Sequence, residues 1–432
     1  MKQYTSWNRY PVVEQQASPL YWRDQQLPEV SCMLAYGQGR SYGDVCLNNG
    51  GVILPTENLQ RFIQFDRDKG ILRAEAGVTL AQVLALVMPQ GWFLAVTPGT
   101  KFVSLGGALA NDVHGKNHHR AGSFGCHVSA FELHRSDGER LVCTPKQNSD
   151  WFRATIGGLG LTGFISWVEI KLKPISNFYI NQQIYRFANL QEFLSLNDSL
   201  EANWEYTVAW IDCLARGKKL GRGLYMAGNH SDNSTADRQT IDQPSLNMPV
   251  EAPGFVLNRF SVRAFNTLYY RKPRKNISNV HYDGYFYPLD KIAHWNRMYG
   301  KRGFFQYQCV IPPDKAEQSL HQMLDTIARS GQASFLSVLK KFGENPAPGL
   351  LSFPRPGITL ALDMPNRGPK TLSLLDQLDK ITMHNSGAVY PAKDARMSAQ
   401  AFEIYYPEWQ TFRQYIDPEF SSSFWRRVSP AK

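Results

Sequence analysis

Histidine, lysine and asparagine side chains lie close together in the stretch DVHGKNHHRAGSFG, residues 112–125. Such side chains can bind a metal, act as a base or contact a ligand. His114 and His118 have the i, i+4 spacing of a zinc-binding helix, but a metalloprotease motif has glutamate after the first histidine, where this chain has glycine. The residues between the two histidines favour a loop over a helix face. We therefore expect no metal here, His118 and His119 in structural roles, and a loop that runs against a ligand.

Two glycine-rich segments could bind an anion. GQGRSYGD (residues 37–44) follows a predicted strand, and successive amides beside positive-φ glycines can form a nest for a pyrophosphate. In TPGTKFVSLGGALAND (residues 97–112), Ser104 is placed to cap a helix that begins with two glycines, which would let a ligand approach the amides. A structural turn explains either segment alone. Together they predict one extended cofactor held by both.

A third glycine-rich segment, GGLGLTG (residues 157–163), contains a formal G-x-G-x-x-G pattern. A dinucleotide fingerprint follows a strand and opens a helix. Here a predicted helix precedes the glycines and a predicted strand follows them. We expect a helix-to-strand turn rather than a nicotinamide site.

Polar side chains in the middle of the chain fall on single faces of predicted strands. In FFQYQCVIP and GITLALDMP, alternation places Gln306 with Gln308, and Thr359 with Ala361 and Asp363. A solvated sheet face and a polyol pocket both fit this pattern. Later, AVYPAKDARMS contains a lysine that could act as a general base if burial lowers its pKa, although a lone lysine usually lies at the surface.

The elements that would position these side chains suggest two domains in the 432 residues. The first third reads as short strands, glycine turns and brief helices, including a helix at residues 79–91 with Thr79 as its N-cap. After about residue 175, longer strands alternate with helices, which predicts an α+β domain with a mainly antiparallel sheet. The N-terminus has no apolar signal-peptide region and no stretch is long enough for a membrane span. Six scattered cysteines predict free thiols in a reducing, cytoplasmic compartment.

The formal net charge is +10. Nucleic acid, an acidic membrane surface or a phosphorylated substrate could each explain it. The sequence shows neither a recognition helix nor an alternation of aromatic and basic residues, so we expect no nucleic acid. Two basic clusters bracket the polar stretch at residues 228–254, which we expect to be a mobile loop. Either cluster alone would be ordinary surface charge, but the pair favours the rim of an anion-accepting mouth: Arg216, Lys218, Lys219 and Arg222, then Arg271, Lys272, Arg274 and Lys275.

The motifs GQGRSYGD, PGTKFVSLGGALANDVHGKNHHRAGSFG, GGLGLTG, QYQCVIP and YPAKDARMS occur in this order over nearly the whole chain. In this combination the sequence resembles the FAD-dependent decaprenylphosphoryl-β-D-ribose 2′-oxidases, which are flavoproteins of the vanillyl-alcohol-oxidase type. The resemblance implies a two-domain α+β fold of the PCMH type. An FAD-binding domain (1–178 and 388–432) would surround a substrate-binding domain with an antiparallel sheet (179–387).

The resemblance also implies which residues form the site. Lys393 is the first candidate for the base or a hydroxyl-orienting donor, and Tyr42 and His114 are the alternatives. The polyprenyl-phosphate sugar would contact Lys116, Trp210, Gln306, Gln308, Lys340, Asp363 and Lys393, together with Tyr42 and His114. FAD would contact Gly37, Gln38, Gly39, Arg40, Ser41, Tyr42, Gly43, Asp44, Val45, Gly99, Ser104, Leu105, Gly106, Gly107, Asn111, Asp112, Val113, His114, Ile165 and Tyr390.

Three departures from the family pattern have consequences. Many flavoproteins of the wider superfamily attach FAD through a histidine in the first glycine loop, where this chain reads RSYGD, so we expect noncovalent FAD. The mycobacterial members have an active-site cysteine where this chain has Ala361, and an asparagine where it has Thr359. Oxidation should survive the alanine, but thiol-directed inactivators would lose their target.

The reaction implied by the resemblance is oxidation of the 2′-hydroxyl of a polyprenyl-phosphoryl ribose to the keto sugar. A short-chain reductase partner would complete an epimerisation to the arabinosyl lipid, and the lipid could bring the protein to the inner membrane surface. A flavin oxidase of a soluble polyol, sugar or aldonolactone is the enzymatic alternative. A basic nucleic-acid-binding protein is the alternative from another class, and a flavin spectrum of the purified protein would exclude it.

Overall fold

The computed structural model of the protein describes residues 3–232, 244–272 and 279–429. Arg274 and Lys275 of the second basic cluster lie outside the described residues, as does the middle of the polar stretch 228–254. Among the described helices, none is both long and apolar enough to cross a membrane.

The strands are numbered in chain order. They are β1 Gln16–Ala17, β2 Met33–Tyr36, β3 Val52–Pro55, β4 Phe62–Asp66, β5 Ile71–Glu75, β6 Trp92–Leu94, β7 Val128–His134, β8 Arg140–Cys143, β9 Phe164–Pro174, β10 Tyr179–Phe187, β11 Tyr206–Ile211, β12 Gly223–His230, β13 Leu246–Asn247, β14 Val280–His281, β15 Ile292–Ala293, β16 Phe304–Ile311, β17 Ser337–Phe342, β18 Gly357–Pro365 and β19 Ala388–Val389.

The α-helices are numbered in the same way, and short 3₁₀ turns join several elements. The helices are α1 Leu80–Val87, α2 Leu105–Ala110, α3 His118–Ala121, α4 Ser149–Thr155, α5 Leu190–Leu200, α6 Arg259–Arg271, α7 Tyr282–Phe286, α8 Pro313–Ser330, α9 Pro369–His384, α10 Ala399–Tyr405, α11 Trp409–Arg413 and α12 Ser423–Val428. The 3₁₀ turns are Met88–Gln90, Phe124–His127, Glu201–Asn203, Gly217–Lys219, Trp295–Tyr299 and Pro391–Lys393.

The N-terminal part contains two sheets. Strands β1, β3 and β2 form a small parallel sheet. A larger antiparallel sheet has the order β4-β5-β9-β7-β8, and β6 also pairs with β9. Apolar residues of α1, α2 and this sheet, among them Val83, Leu109 and Phe131, form one buried core. That core holds the second glycine-rich segment in place, because this segment runs into α2, whereas the first segment follows β2 of the small sheet.

The predicted N-caps are confirmed. The Thr79 hydroxyl accepts the Gln82 amide at 3.3 Å, and the Gln82 side chain accepts the Thr79 amide at 2.8 Å, which completes a capping box. The Ser104 hydroxyl accepts the Gly107 amide at 3.2 Å and starts α2. GGLGLTG lies between α4 and β9, with positive φ at three of its glycines, so it is the predicted helix-to-strand turn.

The second large sheet has eight antiparallel strands in the order β14-β10-β12-β11-β17-β18-β16-β19. Helices α5, α8 and α9 cover one face, where their apolar residues share a core with Ala209, Cys309 and Leu360. The predicted α+β architecture with a mainly antiparallel sheet is therefore confirmed. Because side chains alternate along a strand, the neighbours of these core residues point to the opposite, uncovered face.

Candidate functional site

A cavity of about 620 Å³ lies between the glycine-rich segments and the uncovered face of the eight-stranded sheet. It is large enough for an extended ligand. The residues predicted for the site that line it are Gly37, Gln38, Gly39, Arg40, Ser41, Tyr42, Val45, Gly99, Ser104, Gly106, Gly107, Asn111, Val113, His114, Lys116, Ile165, Trp210, Gln306, Gln308, Lys340, Tyr390 and Lys393.

At one end of this cavity the first glycine loop presents its backbone. The amides of residues 37–41 find no hydrogen-bond acceptor among the described residues. Gly39 has φ of +60°, and a Cβ on it would lie 2.0 Å from the Tyr36 hydroxyl oxygen. Only glycine fits there. Unpaired consecutive donors at a cavity wall match the nest that the sequence predicts.

Arg40 adds a positive charge to the same end. Its guanidinium lies 4.1 Å from the Trp7 ring centroid and 5.5 Å from that of Phe102. Burial lowers the pKa of Arg40, and the nearby Asp290 opposes that shift. In the described parts of the chain no carboxylate lies within ion-pair distance of Arg40, so its charge is available to an anion in the cavity.

The second glycine segment contributes in a different way from the one predicted. The amides of Leu105 and Gly106 donate to carbonyls of Val78 and Ala76 at 2.8 Å, and Gly107 donates to Ser104. These amides are therefore occupied by the protein rather than free for a ligand. A Cβ on Gly106 would meet the Cβ of Ala76 at 2.9 Å, so this glycine permits close packing of α2 against the sheet. What α2 offers the cavity is a surface of small residues.

Asn111, at the end of α2, has an unsatisfied buried atom that lines the cavity. Its Nδ2 donates to the Gly107 carbonyl at 2.9 Å, while its Oδ1 finds no partner among the described residues. A buried oxygen without a donor indicates a ligand hydrogen bond, since such groups are rarely left unpaired. The free amides, Arg40 and Asn111 together fit a long anionic cofactor such as FAD.

Four residues predicted to contact the cofactor do not line the cavity. These residues make contacts within the protein instead. The Gly43 amide donates to Asn8 Oδ1 at 3.0 Å, and Asp44 accepts from Arg427 at 2.6 and 2.9 Å. Leu105 is fully buried in the core, and Asp112 accepts the Gly125 amide and the Ser352 hydroxyl. Each shapes a segment that does line the cavity, so these residues position the site instead of lining the cavity themselves.

At the other end of the cavity His114 bridges the loop and the sheet. Its Nδ1 lies 2.9 Å from Lys340 Nζ, and its Nε2 lies 3.0 Å from Gln308 Nε2. Burial lowers the pKa of His114 well below 6.5, and the lysine charges act in the same direction. A neutral imidazole that accepts from Lys340 donates through Nε2, which requires the Gln308 amide to present its oxygen. Both ring nitrogens are therefore engaged by the protein.

Two lysines beside His114 are partly buried and face the cavity. Burial lowers the pKa of Lys116 to about 7, and burial with the charges of Lys116 and Lys393 lowers that of Lys340 to about 7. Lys340 also donates to the Gly115 carbonyl at 3.0 Å, and Lys116 donates to the Tyr285 carbonyl. Lysines held at such a pKa gain most from a bound anion, since it would restore their charge.

Lys393 and Tyr42 are in contact with each other where they line the cavity. Lys393 Nζ lies 3.8 Å from the centroid of the Tyr42 ring. Burial lowers the pKa of Lys393, whereas the carboxylate of Asp363 raises it. Burial also raises the pKa of Tyr42 well above 10, so its hydroxyl stays protonated. Lys393 is consequently the better proton acceptor of the two.

Asp363 is the one predicted substrate-binding residue that does not line the cavity. It is fully buried behind Gln306, whose Nε2 donates to Asp363 Oδ1 at 2.5 Å. Its Oδ2 has no partner among the described residues, and burial raises the pKa of its carboxyl. Asp363 therefore orients Gln306 and balances the charge of Lys393 from behind the wall.

Aromatic side chains are fixed by hydrogen bonds around the same space. The Trp210 indole donates to the Phe335 carbonyl at 2.9 Å, and the Tyr390 hydroxyl donates to the Asn111 carbonyl at 2.8 Å. Tyr390 also stacks on Phe353 at 4.6 Å. These contacts connect the sheet, the C-terminal segment and α2 around one cavity.

His118 and His119 have the structural roles expected of them. His118 Nδ1 accepts the Gly343 amide at 3.2 Å, and His119 Nε2 lies 2.9 Å from the Trp204 carbonyl oxygen. No group of three or more His, Cys, Asp or Glu side chains that could hold a metal ion occurs in the described ranges.

The first basic cluster does not form the predicted rim. Arg222 pairs with Asp212 at 2.7 and 3.0 Å, and Arg216 donates to the Ala328 carbonyl. Neither these arginines nor the two lysines between them line the cavity. The prediction was wrong because acceptors within the protein already hold the two arginines, and the two exposed lysines lie outside the cavity.

Several cavity residues were not predicted. The end of the cavity at the first glycine loop, which we call the flavin end, is also lined by Trp7, Cys46 and Asp290. The wall beside Lys116 is lined by Tyr285 and Phe286. The last two lie on α7, in a run of aromatic residues that has no clear period and packs against the first sheet. Only long-range contacts bring them to the site, so no sequence pattern could have identified them.

Comparison with known proteins agrees with this geometry. The profile of the FAD binding domain matches residues 30–144. The chain is 37% identical over 414 residues to the decaprenylphosphoryl-beta-D-ribose oxidase of Mycolicibacterium smegmatis, a match that covers 92% of this chain and 89% of that protein. An uncharacterized protein of Streptomyces coelicolor is 32% identical, over 81% of this chain and all of that protein. Mouse L-gulonolactone oxidase is 28% identical, over 39% of this chain and 38% of its own length.

Proposed function

The chain belongs to the decaprenylphosphoryl-β-D-ribose oxidase family and is an FAD-dependent oxidoreductase, and from this premise we propose that it oxidises the 2′-hydroxyl of a polyprenyl-phosphoryl ribose. The product would be the 2′-keto sugar. A second enzyme that returns a hydride to the opposite face, a reductase, would then complete an epimerisation to the arabinosyl lipid. The lipid chain would bring the protein to the inner membrane surface.

One observation supports this function above the others: three partly buried lysines line the cavity beyond the flavin end. Lys116, Lys340 and Lys393 all line it, and Asp363 is the carboxylate that acts on Lys393. A neutral polyol or lactone would leave this excess positive charge uncompensated. A sugar that carries a phosphate would neutralise it.

Proton removal is the first task of the chain's own residues. We assign it to Lys393, whose pKa burial lowers towards the working pH, so that a neutral amine can accept the hydroxyl proton. Bound FAD would accept the hydride from the carbon that carries this hydroxyl. Tyr42 keeps its proton and would orient the hydroxyl. His114, with both nitrogens engaged, would hold Gln308 and Lys340 in place.

Phosphate recognition is the second task. Lys116 and Lys340 lie on either side of His114, on the loop and on β17, and each is fixed through a backbone carbonyl. Their remaining N–H bonds can donate to phosphate oxygens. Binding of the phosphate would raise the pKa of both lysines and so increase their positive charge.

We also propose the division of the chain into an FAD-binding part, 1–178 with 388–432, and a substrate-binding part, 179–387. The contacts of the C-terminal segment support it: the Asp417 amide donates to the Leu161 carbonyl at 2.9 Å, and Arg427 pairs with Asp44. Strand β19, in the same segment, pairs with β16 of the other part. The C-terminal segment thus contacts both parts, and its residues Tyr390 and Lys393 line the cavity.

Anaerobic reduction of the flavin tests the function. Synthetic polyprenyl-phosphoryl ribose should bleach the flavin absorbance in a single turnover, whereas ribose, an aldonolactone and the arabinosyl epimer should not. If the protein retains its flavin and the phosphoryl ribose does not bleach it, the substrate assignment is wrong. Acid precipitation should release yellow FAD into the supernatant, because the attachment that we propose is noncovalent.

A further inference from the structure

Helix α6 and the turn before it lie at the protein surface, next to the eight-stranded sheet. One face of α6 is anchored: Val262 is buried, Asn266 donates to Asp212 Oδ1 at 2.9 Å, and the Tyr270 hydroxyl donates to the Phe187 carbonyl at 3.3 Å. Asn258 caps the helix through the Phe260 and Ser261 amides, at 2.7 and 3.1 Å. The helix is therefore fixed on the protein and presents a constant face to the outside.

The outward face is apolar instead of polar. Phe255 is 76% exposed, Phe260 is 68% exposed and Leu268 is 71% exposed. Positions 260, 264 and 268 form one stripe along the helix, at i, i+4 and i+8, and residue 264 is alanine. An exposed apolar patch of this size on one element indicates a binding surface.

The charges around this stripe are all positive. Arg259 and Arg263 are exposed on α6. No ion pair of either arginine occurs among the described residues, and residues 252–282 contain no aspartate or glutamate. We call Phe255, Arg259, Phe260, Arg263 and Leu268 the α6 surface. Large apolar side chains flanked by unpaired arginines are typical of helices that lie in the plane of an anionic bilayer.

We propose that the α6 surface docks the protein on an anionic lipid bilayer. The aromatic and leucine side chains enter the boundary between headgroups and acyl chains, and the arginines contact lipid phosphates. A protein partner would be expected to supply carboxylates at defined positions and a shaped pocket for each aromatic ring. An unpaired stripe with arginines spaced along it fits the diffuse charge of a membrane better.

The position of the α6 surface links docking to the cavity. Phe265 stacks on Tyr269, with ring centroids 5.7 Å apart, and Tyr269 packs edge to face on Trp210 at 4.7 Å. Tyr269 and Trp210 both line the cavity. A docked protein would therefore hold the substrate end of its cavity next to the bilayer. This last step rests on the proposed function, but the docking itself does not.

Cosedimentation of the full-length flavoprotein with vesicles tests the proposal without substrate. Vesicles of phosphatidylcholine with one third phosphatidylglycerol should bind the protein, and vesicles of pure phosphatidylcholine should bind it at least about tenfold less. The Phe260→Ser/Leu268→Ser variant and the Arg259→Gln/Arg263→Gln variant should each lower the partition coefficient at least about tenfold. The matched control is Ile404→Ser, which changes a half-exposed apolar residue on α10 and should bind like the wild type.

Three results would overturn the proposal: equal binding to neutral and anionic vesicles, equal binding by both variants, or a dimer in light scattering that both variants dissociate. The dimer would assign the α6 surface to a second copy of the chain. Thermal melting and flavin content verify that each variant is folded. Flavin bleaching with a short-chain, water-soluble phosphoryl ribose should be the same in the variants and the wild type, so that loss of docking and failure of the substrate assignment give different results.

Discussion

The flavin end of the cavity presents backbone amides, glycines and one arginine, whereas the substrate end presents side chains on β16, β17, β18 and the loop of His114. At the flavin end, amides without acceptors and Arg40 provide fixed positive dipoles and a permanent charge. At the substrate end, burial lowers the pKa of Lys116, Lys340 and Lys393; the other two lysines lower that of Lys340 further, and Asp363 raises that of Lys393. Fixed donors suit a cofactor that stays bound, and adjustable charges suit a ligand that binds and leaves.

The largest expected effect on cofactor binding comes from adding one methyl group at the flavin end. In Gly39→Ala the Cβ would meet the Tyr36 hydroxyl oxygen at 2.0 Å in a left-handed backbone conformation. We expect a loss of at least about 3 kcal/mol in loop stability and a rise of about 100-fold in the apparent FAD Kd. Flavin content and thermal melting measure it. Gln38→Ala is the control. The Gln38 side chain is next to Gly39 and makes no hydrogen bond among the described residues, so this variant should keep the apparent FAD Kd within a few-fold of the wild-type value.

Removing a side chain at the substrate end should leave the cofactor bound and stop the chemistry. Lys393→Ala should slow anaerobic flavin reduction by about 10²- to 10⁴-fold, the usual contribution of a positioned base. The loss of the ammonium leaves Asp363 buried, and its raised pKa lets it become neutral. Stopped-flow absorbance follows the reduction, with Lys341→Ala as the control for a nearby half-buried lysine on β17. A rate close to that of the wild type would refute the role of Lys393.

The two ends should also respond differently to pH. Lys116 and Lys340 have pKa values lowered to about 7, so a rise in pH above 7 removes their protons and raises KM for the phosphoryl sugar by up to about tenfold per unit for each lysine. Lys393 must be neutral to act, so the reduction rate at saturating substrate should rise with pH. FAD affinity should stay flat between pH 6 and 9. A parallel pH dependence of FAD affinity and KM would remove the distinction between the ends.

The smallest expected effect on turnover comes from Ala361→Cys on β18. The new thiol would face the cavity beside Thr359, and we expect the reduction rate to change only a few-fold. Electrophiles directed at thiols should nevertheless label this variant in the cavity and leave the wild type active. Cys46 also lines the cavity, but burial raises the pKa of its thiol to about 12, so it stays unreactive. Intact mass measurement in a Cys126→Ser background, which removes the exposed cysteine, tests the difference.

Local patterns were enough to predict most of the fold. Period-two alternation placed Gln306 and Gln308 on one face, and Thr79 and Ser104 marked the starts of two helices. Both kinds of pattern depend on neighbours in sequence, so sequence alone reveals them. The free amides of the first glycine loop were likewise predictable from its glycines.

Contacts between distant segments were not predictable. The amides of α2 bind carbonyls of residues 76 and 78, and this pairing depends on how the helix packs on its sheet. Arg222 pairs with Asp212 instead of forming the predicted anion-accepting rim, and Asp363 lies behind Gln306 instead of in the cavity wall. The aromatic wall of α7 has no sequence signal for the same reason. In each case the outcome depends on a tertiary contact or on a side-chain orientation that local sequence patterns do not specify.

Lys340 has one more consequence, for the way a substrate reaches the cavity. It belongs to the sheet, yet it donates to both His114 and the Gly115 carbonyl of the opposite loop. If the two parts of the protein opened like a hinge, these charge-assisted bonds would have to break. We therefore expect the substrate to enter on the side of Tyr269, whose ring packs edge to face on Trp210, while the two parts of the enzyme stay closed.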